Sequence, residues 1–272
     1  MDGLMIFTYP VTMTGFLIKK AFCDLWDNMF LIVLLNLGFI ASLAIPLLLP
    51  RIIPVPALSA AVLAVGIIWL FLYLAAAALS VKAISDYGSF GFSDFGENVK
   101  AGWPAGLVMG LICLVLYAMV TIIIPFYLHI ESPVGLFLAA AIFWTFALSL
   151  ASFQFFFAIR ARLGTKPLKV TKKCFIIFFD NPGFSVFCLF YSLVMLVVSG
   201  LLAFLFPGPA GILLFLDEAL RLRLLKYDWL EANPDTNTPY RKRKIPWNTI
   251  LVEEREKTGT RSFRSFIFPW KD

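Results

Sequence analysis

The chain has 272 residues, of which 60% are apolar or aromatic and only 15% are charged, and its mean hydropathy is +0.86. Soluble domains contain about 25% charged residues and about half apolar ones. The 29 Phe and 7 Trp residues exceed what a single soluble core of this size can bury. The composition therefore excludes a water-soluble enzyme, a disordered protein and a secreted disulfide scaffold, and it predicts an integral membrane protein.

The first predicted element is an amphipathic helix that ends the N-terminal segment, residues 1–28. In residues 13–28 one helical stripe is apolar, whereas the charged residues lie away from it. The stripe contains Ile18, Phe22, Leu25 and Met29, and the charged residues are Lys20, Asp24 and Asp27. This pattern is typical of a helix that lies on the membrane surface, here on the cytoplasmic side.

The next region, residues 29–230, is predicted to be a bundle of six membrane spans. A helical span needs roughly 20 apolar residues, because the hydrocarbon core is about 30 Å thick. Four uncharged runs satisfy this requirement, and a fifth run is interrupted by Gly200 and by the Pro207-Gly208-Pro209 cluster. Since Pro and Gly mark helix ends, this run is divided into two spans. The predicted spans are 29–49, 55–81, 104–128, 132–159, 184–206 and 208–225.

The distribution of basic residues supports an even number of spans. Loops on the cytoplasmic side of a membrane carry an excess of Lys and Arg. With six spans, 22 of the 23 Lys and Arg residues lie on one side, and only Arg51 lies on the other. With five spans the division is 10 against 13, which is no bias. The sequence therefore predicts a multi-pass protein with both termini in the cytoplasm.

Two further cytoplasmic elements are predicted outside the spans. Residues 168–180 resemble a second amphipathic helix, basic at its start and ended by Asp180-Asn181-Pro182-Gly183. Residues 231–272 form a polar, turn-rich tail that is expected to be mostly irregular. Its basic run is expected to contact anionic lipid headgroups, whereas nucleic acid is a poor partner for a membrane-tethered chain. The run contains Arg241, Lys242, Arg243 and Lys244.

The last span carries the candidate polar or ion site, formed by Asp217, Glu218 and Arg221. Asp217 and Arg221 are four residues apart, so they share a helix face and are expected to pair. One interpretation is an intrahelical pair that reaches the membrane interface. The alternative is an ion or substrate site inside the bundle.

A helix-packing motif begins the third span. Gly102, Gly106 and Gly110 are spaced four residues apart, which places them on one face and lets another backbone approach closely. The second span offers small residues, including Ala75–Ala78. We expect these two spans to pack together within one chain, and the alternative is a homodimer interface.

No catalytic signature is found. The sequence contains no Gly-rich phosphate loop, no GxSxG and no HExxH. The four cysteines lack CxxC spacing, so we expect them to pack as small apolar residues rather than bind a metal. We expect no enzymatic activity and no cofactor.

Hydroxyl groups at Thr145, Ser149 and Ser152 form a stripe on the fourth span, which indicates either interhelical hydrogen bonds or a polar solute path.

The order of these features resembles the YesL-like family of bacterial polytopic membrane proteins of unassigned activity. The span-two region is longer here, and the tail after Lys226 is an extension. The resemblance covers roughly residues 20–230, and it is carried by LWDNMFLIVLLNLGF, FSDFGENVKAGW, KPLKVTKKCFIIFFDNPG and ILLFLDEALRLRLLKYD. The resemblance implies the bacterial cytoplasmic membrane and an association with carbohydrate-uptake systems of the binding-protein-dependent type.

Two functional hypotheses follow from the sequence. The first is a non-enzymatic membrane protein that is accessory to another membrane complex, such as a carbohydrate importer. The second is a transporter or channel for a small neutral solute, which requires a polar cavity lined by Asn36, Ser149, Gln154 or Asp217. A lipid-modifying enzyme would need a convergent acid–base or metal site, and the sequence offers none.

Overall fold

The computed structural model describes residues 13–234 and 245–259. All regular elements in these two ranges are helices, so the fold is the all-α bundle expected from the sequence. A π-helical turn, Met119–Ile123, joins α4 to α5. The helices are α1 (Met13–Asp27), α2 (Met29–Ile52), α3 (Pro56–Ser85), α4 (Phe92–Ala118), α5 (Ile124–His129), α6 (Pro133–Phe153), α7 (Phe156–Leu163), α8 (Pro167–Asp180), α9 (Pro182–Leu201), α10 (Gly208–Ala232), α11 (Trp247–Ile250) and α12 (Val252–Thr258).

Five helical stretches are long and apolar enough to cross a membrane. They are α2, α3, the continuous helix Phe92–His129, the stretch Pro133–Leu163 and α9. Together with the composition, these helices identify the chain as a multi-pass membrane protein.

The predicted sixth span differs from these five in its length and charge. Helix α10 extends to Ala232, and several charged residues lie in its second half. It pairs with α9 as an antiparallel hairpin: Ser199 contacts Gly208 near the tip, and Asn181 contacts Tyr227 near the base. The chain therefore returns to the end of the bundle at which α9 begins, as an even number of passes requires.

This hairpin reaches only part of the length of its neighbours. Helix α10 begins beside Asn36, which lies in the first third of α2. From Asn36 to Ile52, α2 continues for about 24 Å at about 1.5 Å per residue. The far halves of α2 and α3 therefore extend well beyond the tip of the hairpin.

Helices α3 and α4 are held together by the glycine motif. A Cβ atom added to Gly106 would lie 2.6 Å from the Cα of Leu72, and one added to Gly102 would lie 3.2 Å from the backbone of Ala75. Gly110 faces Ile68 in the same way. The glycine surface therefore faces α3 within one chain, as expected, and leaves no room there for a second copy.

Helix α1 buries a different face from the one suggested by its apolar stripe. Lys20 and Asp24, which lie away from the apolar stripe expected to face the membrane, are buried, whereas Met29 of that stripe is exposed. Leu25 is buried and packs beside Gly211 of α10. Hydropathy alone did not indicate this burial, because Lys20 pairs with Asp24 of its own helix and its further partners, Ser85 and Glu218, lie on α3 and α10.

The tail after α10 is more ordered than predicted in its described part. Residues 247–258 form α11 and α12, and Leu251 between them is fully buried in the core. The Lys19 ammonium of α1 donates to the Gly259 carbonyl at 3.1 Å. The tail therefore folds back onto the bundle, and the expected irregular structure does not apply to this segment.

Candidate functional site: a buried charge network

Charged side chains from five separate helices meet at one end of the bundle. We call this set the charge network and this end the network end. The network draws on α1, the end of α3, α7, α10 and α12. Its members are Lys20, Asp24, Ser85, Asp86, Tyr87, Arg162, Asp217, Glu218, Arg221 and Glu254.

Lys20 is the most deeply buried cation of the network, with no exposed surface. Its ammonium donates to Asp24 Oδ2 at 2.5 Å and to the Ser85 carbonyl at 3.1 Å, and lies 3.6 Å from Glu218 Oε1. Burial alone lowers the pKa of Lys20, but the carboxylates of Glu218 and Asp24 outweigh burial and raise this pKa above its usual value. Lys20 therefore stays charged and joins α1 to α3 and α10.

Two arginines complete the network. The guanidinium of Arg162 donates to Asp217, to Ser85 Oγ at 2.8 Å and to Asp86 Oδ1 at 3.1 Å. Arg221 donates to the same Asp86 oxygen at 2.8 Å. It also donates to the Ser85 carbonyl at 2.5 Å. This carbonyl lies at the C-terminus of α3, where cations are favourable because of the helix dipole.

The structure places all three residues of the predicted ion site in the network, but with other partners than expected. Asp217 pairs with Arg162, and Arg221 pairs with Asp86 and Glu254, so the predicted pair between Asp217 and Arg221 is not formed. The spacing of four residues places two side chains on one face, but it cannot show which neighbouring helix offers a closer partner.

The network has more carboxylates than cations. Both oxygens of Glu218 and one oxygen of Asp217 lack a hydrogen-bond partner among the described residues. The described part of the chain also contains no cluster of three His, Cys, Asp or Glu side chains that could hold a metal ion. Chemically, this arrangement joins the helices by ion pairs, which are buried around Lys20 and Asp217 and partly exposed at Asp86.

Tyr87 connects the network to the tail. Its hydroxyl donates to Glu254 Oε2 at 2.9 Å and lies 3.2 Å from Thr258 Oγ1. Its ring covers the Lys20 ammonium at 4.2 Å, a favourable cation–π distance. Burial raises the pKa of Tyr87 to about 12, so its hydroxyl stays protonated and available as a donor.

A second polar site lies at the tip of the α9–α10 hairpin. Asn36 Nδ2 donates to the carbonyls of Leu205 at 3.0 Å and Pro207 at 2.8 Å, and its Oδ1 accepts from the Ala210 amide at 2.9 Å. Ser199 Oγ accepts from the Gly208 amide at 2.9 Å. The first amides of a helix commonly bind anionic ligands. Here side chains of the protein already occupy two of them.

The hydroxyl stripe of α6 lies beside a groove rather than in a channel. Thr145 and Ser149 line an apolar groove of about 400 Å³ between α4 and α6, together with Leu111 and Val115. The Thr145 hydroxyl donates to Ala141 of its own helix at 2.9 Å, and not to another helix as the sequence suggested. Ser152, the third member of the stripe, is buried.

The cysteines and His129 are not members of the network. The four cysteines form no disulfide within the described residues, and three of them are buried, including Cys174. Burial raises the pKa of Cys174 to about 12, as expected of a packing residue. His129 is exposed and contacts the Pro125 carbonyl at 2.9 Å. The predicted lipid-contacting run Arg241–Lys244 lies outside the described residues and stays a prediction.

The sequence could have revealed part of this network. The neighbouring pair Asp217-Glu218 in an otherwise apolar stretch was a visible signal, because unpaired buried carboxylates are costly. No local signal marked Lys20, Asp86, Arg162 or Glu254, which lie far apart in the chain.

Searches against protein-family models, curated proteins and solved structures find no match. The resemblance to the YesL-like family therefore rests on the sequence pattern alone.

Proposed function

We propose that this protein is a non-enzymatic membrane protein that assembles with another membrane complex through the apolar surface of α4–α6. Burial is lowest in this part of the bundle. In the most apolar window of Phe92–His129 only 11% of the residues are buried, and in Pro133–Leu163 only 17%, against 28% in α2 and in α3. The low burial of this hairpin is the observation that carries the proposal.

The groove between α4 and α6 has the character of a helix-docking surface. Its walls are apolar, and Thr145 and Ser149 supply hydroxyl groups. Transmembrane helices associate through close packing and through small or hydroxyl-bearing residues. The occupant that we propose is therefore a transmembrane helix of a partner protein. The resemblance to the YesL-like family supports a carbohydrate importer as this partner.

The polar groups of the bundle support a structural role more than a transport role. Of the residues suggested as a cavity lining, Asn36 binds the start of α10 and Asp217 is paired with Arg162. A coupled transporter needs polar groups that remain free for its solute or ion.

One observation favours the alternative of solute transport. Polar atoms near the contact of α6 with α9 are buried without a hydrogen-bond partner among the described residues. These atoms are Ser152 Oγ, Gln154 Oε1, Ser185 Oγ and Ser192 Oγ. A polar solute passing between α6 and α9 would satisfy them. Solute uptake by liposomes that contain only this protein would support this alternative and contradict the accessory role.

Site-specific crosslinking in native membranes tests the accessory role. A photoreactive residue at Ser149 should yield one crosslinked membrane protein of fixed mass, because the proposed partner helix lies in the groove. The matched control is Val65 on α3, which is 66% exposed and lies outside the groove. Equal products from both positions, lipid adducts alone, or a second copy of this chain at Ser149 would contradict the proposal.

We also propose that the network end faces the cytoplasm, in the bacterial cytoplasmic membrane. The contacts bring α1, the α3–α4 loop, α7, α10 and α12 to one end, and these segments contain nine of the 16 Lys and Arg residues in the described ranges. The positive-inside rule assigns such an end to the cytoplasm. A reporter active only in the cytoplasm should give a signal when fused at Asp272 and none at Arg51. The reverse result would overturn this orientation.

A further inference from the structure

The segment that contains α7 and α8 is strongly basic and lacks acidic residues. Between residues 160 and 179 there are six Lys and Arg residues and no Asp or Glu. Arg162 is used by the charge network, and Lys173 donates to Thr165 Oγ1 at 2.8 Å. Lys166, Lys169 and Lys172 are exposed. Within the described part of the chain, these three form no salt bridge.

Helix α8 has a buried face and an exposed face of unusual composition. Val170, Cys174 and Ile177 are buried against the bundle. The exposed face carries the lysines in the first half of the helix, and large apolar side chains along its length. These are Leu168, Ile176 and Phe179, which are 75%, 55% and 56% exposed. A helix that faces only water would not combine cations with so much exposed apolar surface, whereas an interfacial helix does.

The position of α8 suits a contact with the membrane surface. Its start follows Arg162, which is bound at the network end, by only a few residues. Its end is held by Asp180, which accepts a hydrogen bond from the Tyr227 hydroxyl at 2.8 Å. Directly after it, α9 begins and exposes Val186 and Phe190 as a membrane helix must. Helix α8 therefore lies where the chain enters the bilayer.

We propose that α8 is an interfacial helix that binds anionic phospholipid headgroups. Lys166, Lys169 and Lys172 contact the headgroups, and Leu168, Ile176 and Phe179 enter the apolar edge of the bilayer. The charge of residues 160–179 favours an anionic ligand. Three cations that form no salt bridge within the described residues complement an anionic lipid surface. The exposed apolar side chains distinguish a lipid surface from a soluble acidic partner. This site is separate from the basic run of the tail and does not depend on a partner complex.

Lipid retention by the full-length protein tests this proposal. The protein, purified in a mild detergent, is incubated with equal amounts of phosphatidylglycerol and phosphatidylcholine that carry the same acyl chains. After free lipid is removed, mass spectrometry measures the ratio of the two retained lipids. We expect a several-fold excess of phosphatidylglycerol, which decreases as salt rises because the Debye length shortens to about 3 Å at 1 M.

Two triple variants with equal charge change identify the site. The variant K166S/K169S/K172S should lower the lipid ratio towards that of the input, and it should lower it more than the tail variant R241S/K242S/R243S, whose basic run is also predicted to contact anionic headgroups. Far-UV circular dichroism checks that both variants stay helical. If K166S/K169S/K172S retains the full preference, or if both variants lose it equally, the proposal is overturned. It is also overturned if the unmodified protein shows no preference.

Hydrogen exchange tests separately whether the exposed apolar side chains of α8 enter the bilayer. Hydrogen exchange of the α8 amides should be slower in phosphatidylglycerol nanodiscs than in phosphatidylcholine nanodiscs, while the α1 amides serve as an internal reference. In the variant I176S/F179S, the lysines remain, so lipid selectivity should persist while the protection of α8 decreases. Unchanged α8 protection in this variant would contradict the insertion of these side chains.

Discussion

The network end and the α4–α6 hairpin use opposite means to hold their helices. At the network end, buried ion pairs join residues that are far apart in the chain, such as Lys20 with Glu218 and Arg162 with Asp217. In the α4–α6 hairpin, neighbours in the chain pack with little burial, and large side chains such as Phe137 and Trp144 are exposed. Ion pairs specify the arrangement at one end, whereas lipid and a proposed partner helix cover the other region.

This difference follows from the surroundings of each region. In the hydrocarbon core, apolar side chains gain little by leaving lipid for protein, so close backbone packing decides which helices associate. At the end of the bundle, amphipathic helices can adopt several positions. A position that leaves a buried charge without its partner is unstable, so the ion pairs favour one arrangement.

The largest effect is expected for Lys20→Met. It removes the cation between Asp24 and Glu218 and leaves two buried carboxylates without their shared partner. Removing one member of a buried ion pair typically destabilises a protein by about 3–5 kcal/mol. Thermal unfolding in detergent measures the loss. Lys100→Met is the control, because Lys100 is exposed and should change stability little. Similar stabilities for the two variants would contradict the structural role of the network.

The next effect is expected for Gly106→Leu. Its side chain would meet the α3 backbone, since even a Cβ atom lies 2.6 Å from the Cα of Leu72. Overpacking of this kind costs about 1–3 kcal/mol. The matched control is Gly96→Leu on the same helix, because its added Cβ has no neighbour within 4 Å apart from the adjoining backbone of its own helix. If the two variants unfold at the same temperature, backbone contact between α3 and α4 does not stabilise this region.

A comparable or smaller effect is expected for Asn36→Leu. It removes the partner of the Ala210 amide and of two carbonyls before α10. A buried polar group left unpaired costs about 1–3 kcal/mol. Unfolding in detergent and hydrogen exchange at the start of α10 measure the change. Thr121→Val is the control, because its exposed hydroxyl bonds only to its own helix. Unchanged exchange in the Asn36 variant would show that Asn36 does not hold the hairpin tip.

The smallest effect is expected for Glu254→Gln, which weakens the contact between α12 and Arg221. Because Gln keeps an oxygen that can accept hydrogen bonds from Arg221 and Tyr87, we expect a loss of only about 1 kcal/mol. Hydrogen exchange of residues 247–259 should increase, while that of α3 stays constant. Glu253→Gln is the control, because it removes an exposed pair with Lys257. Equal exchange in the two variants would show that the contact with Arg221 does not fix the tail.

The sequence determined the class of protein and most of its helices, because these depend on local properties. Span length follows from hydrophobic thickness and helical rise, so uncharged runs located the long helices. The contact of Gly106 with α3 was also predictable, since residues four apart share one helix face in any membrane bundle. The α9–α10 hairpin was anticipated by Gly200 and the Pro207–Pro209 cluster, although not the full length of α10.

Only the tertiary structure decided the partners of the charged residues. Lys20 looked like a surface residue because hydropathy cannot register a carboxylate that lies about 200 positions further along the chain. Asp217 and Arg221 were predicted to pair by their spacing, yet Arg162 and Glu254 approach them from other helices. The sequence of α12 is a short polar stretch that did not predict an ordered helix. The contacts that fix α12 are made by Tyr87 and Arg221, which lie in other parts of the chain. The spacing of apolar and charged residues predicts which side chains share a face of one helix. An ion pair between helices depends on how those helices pack, which this spacing does not show.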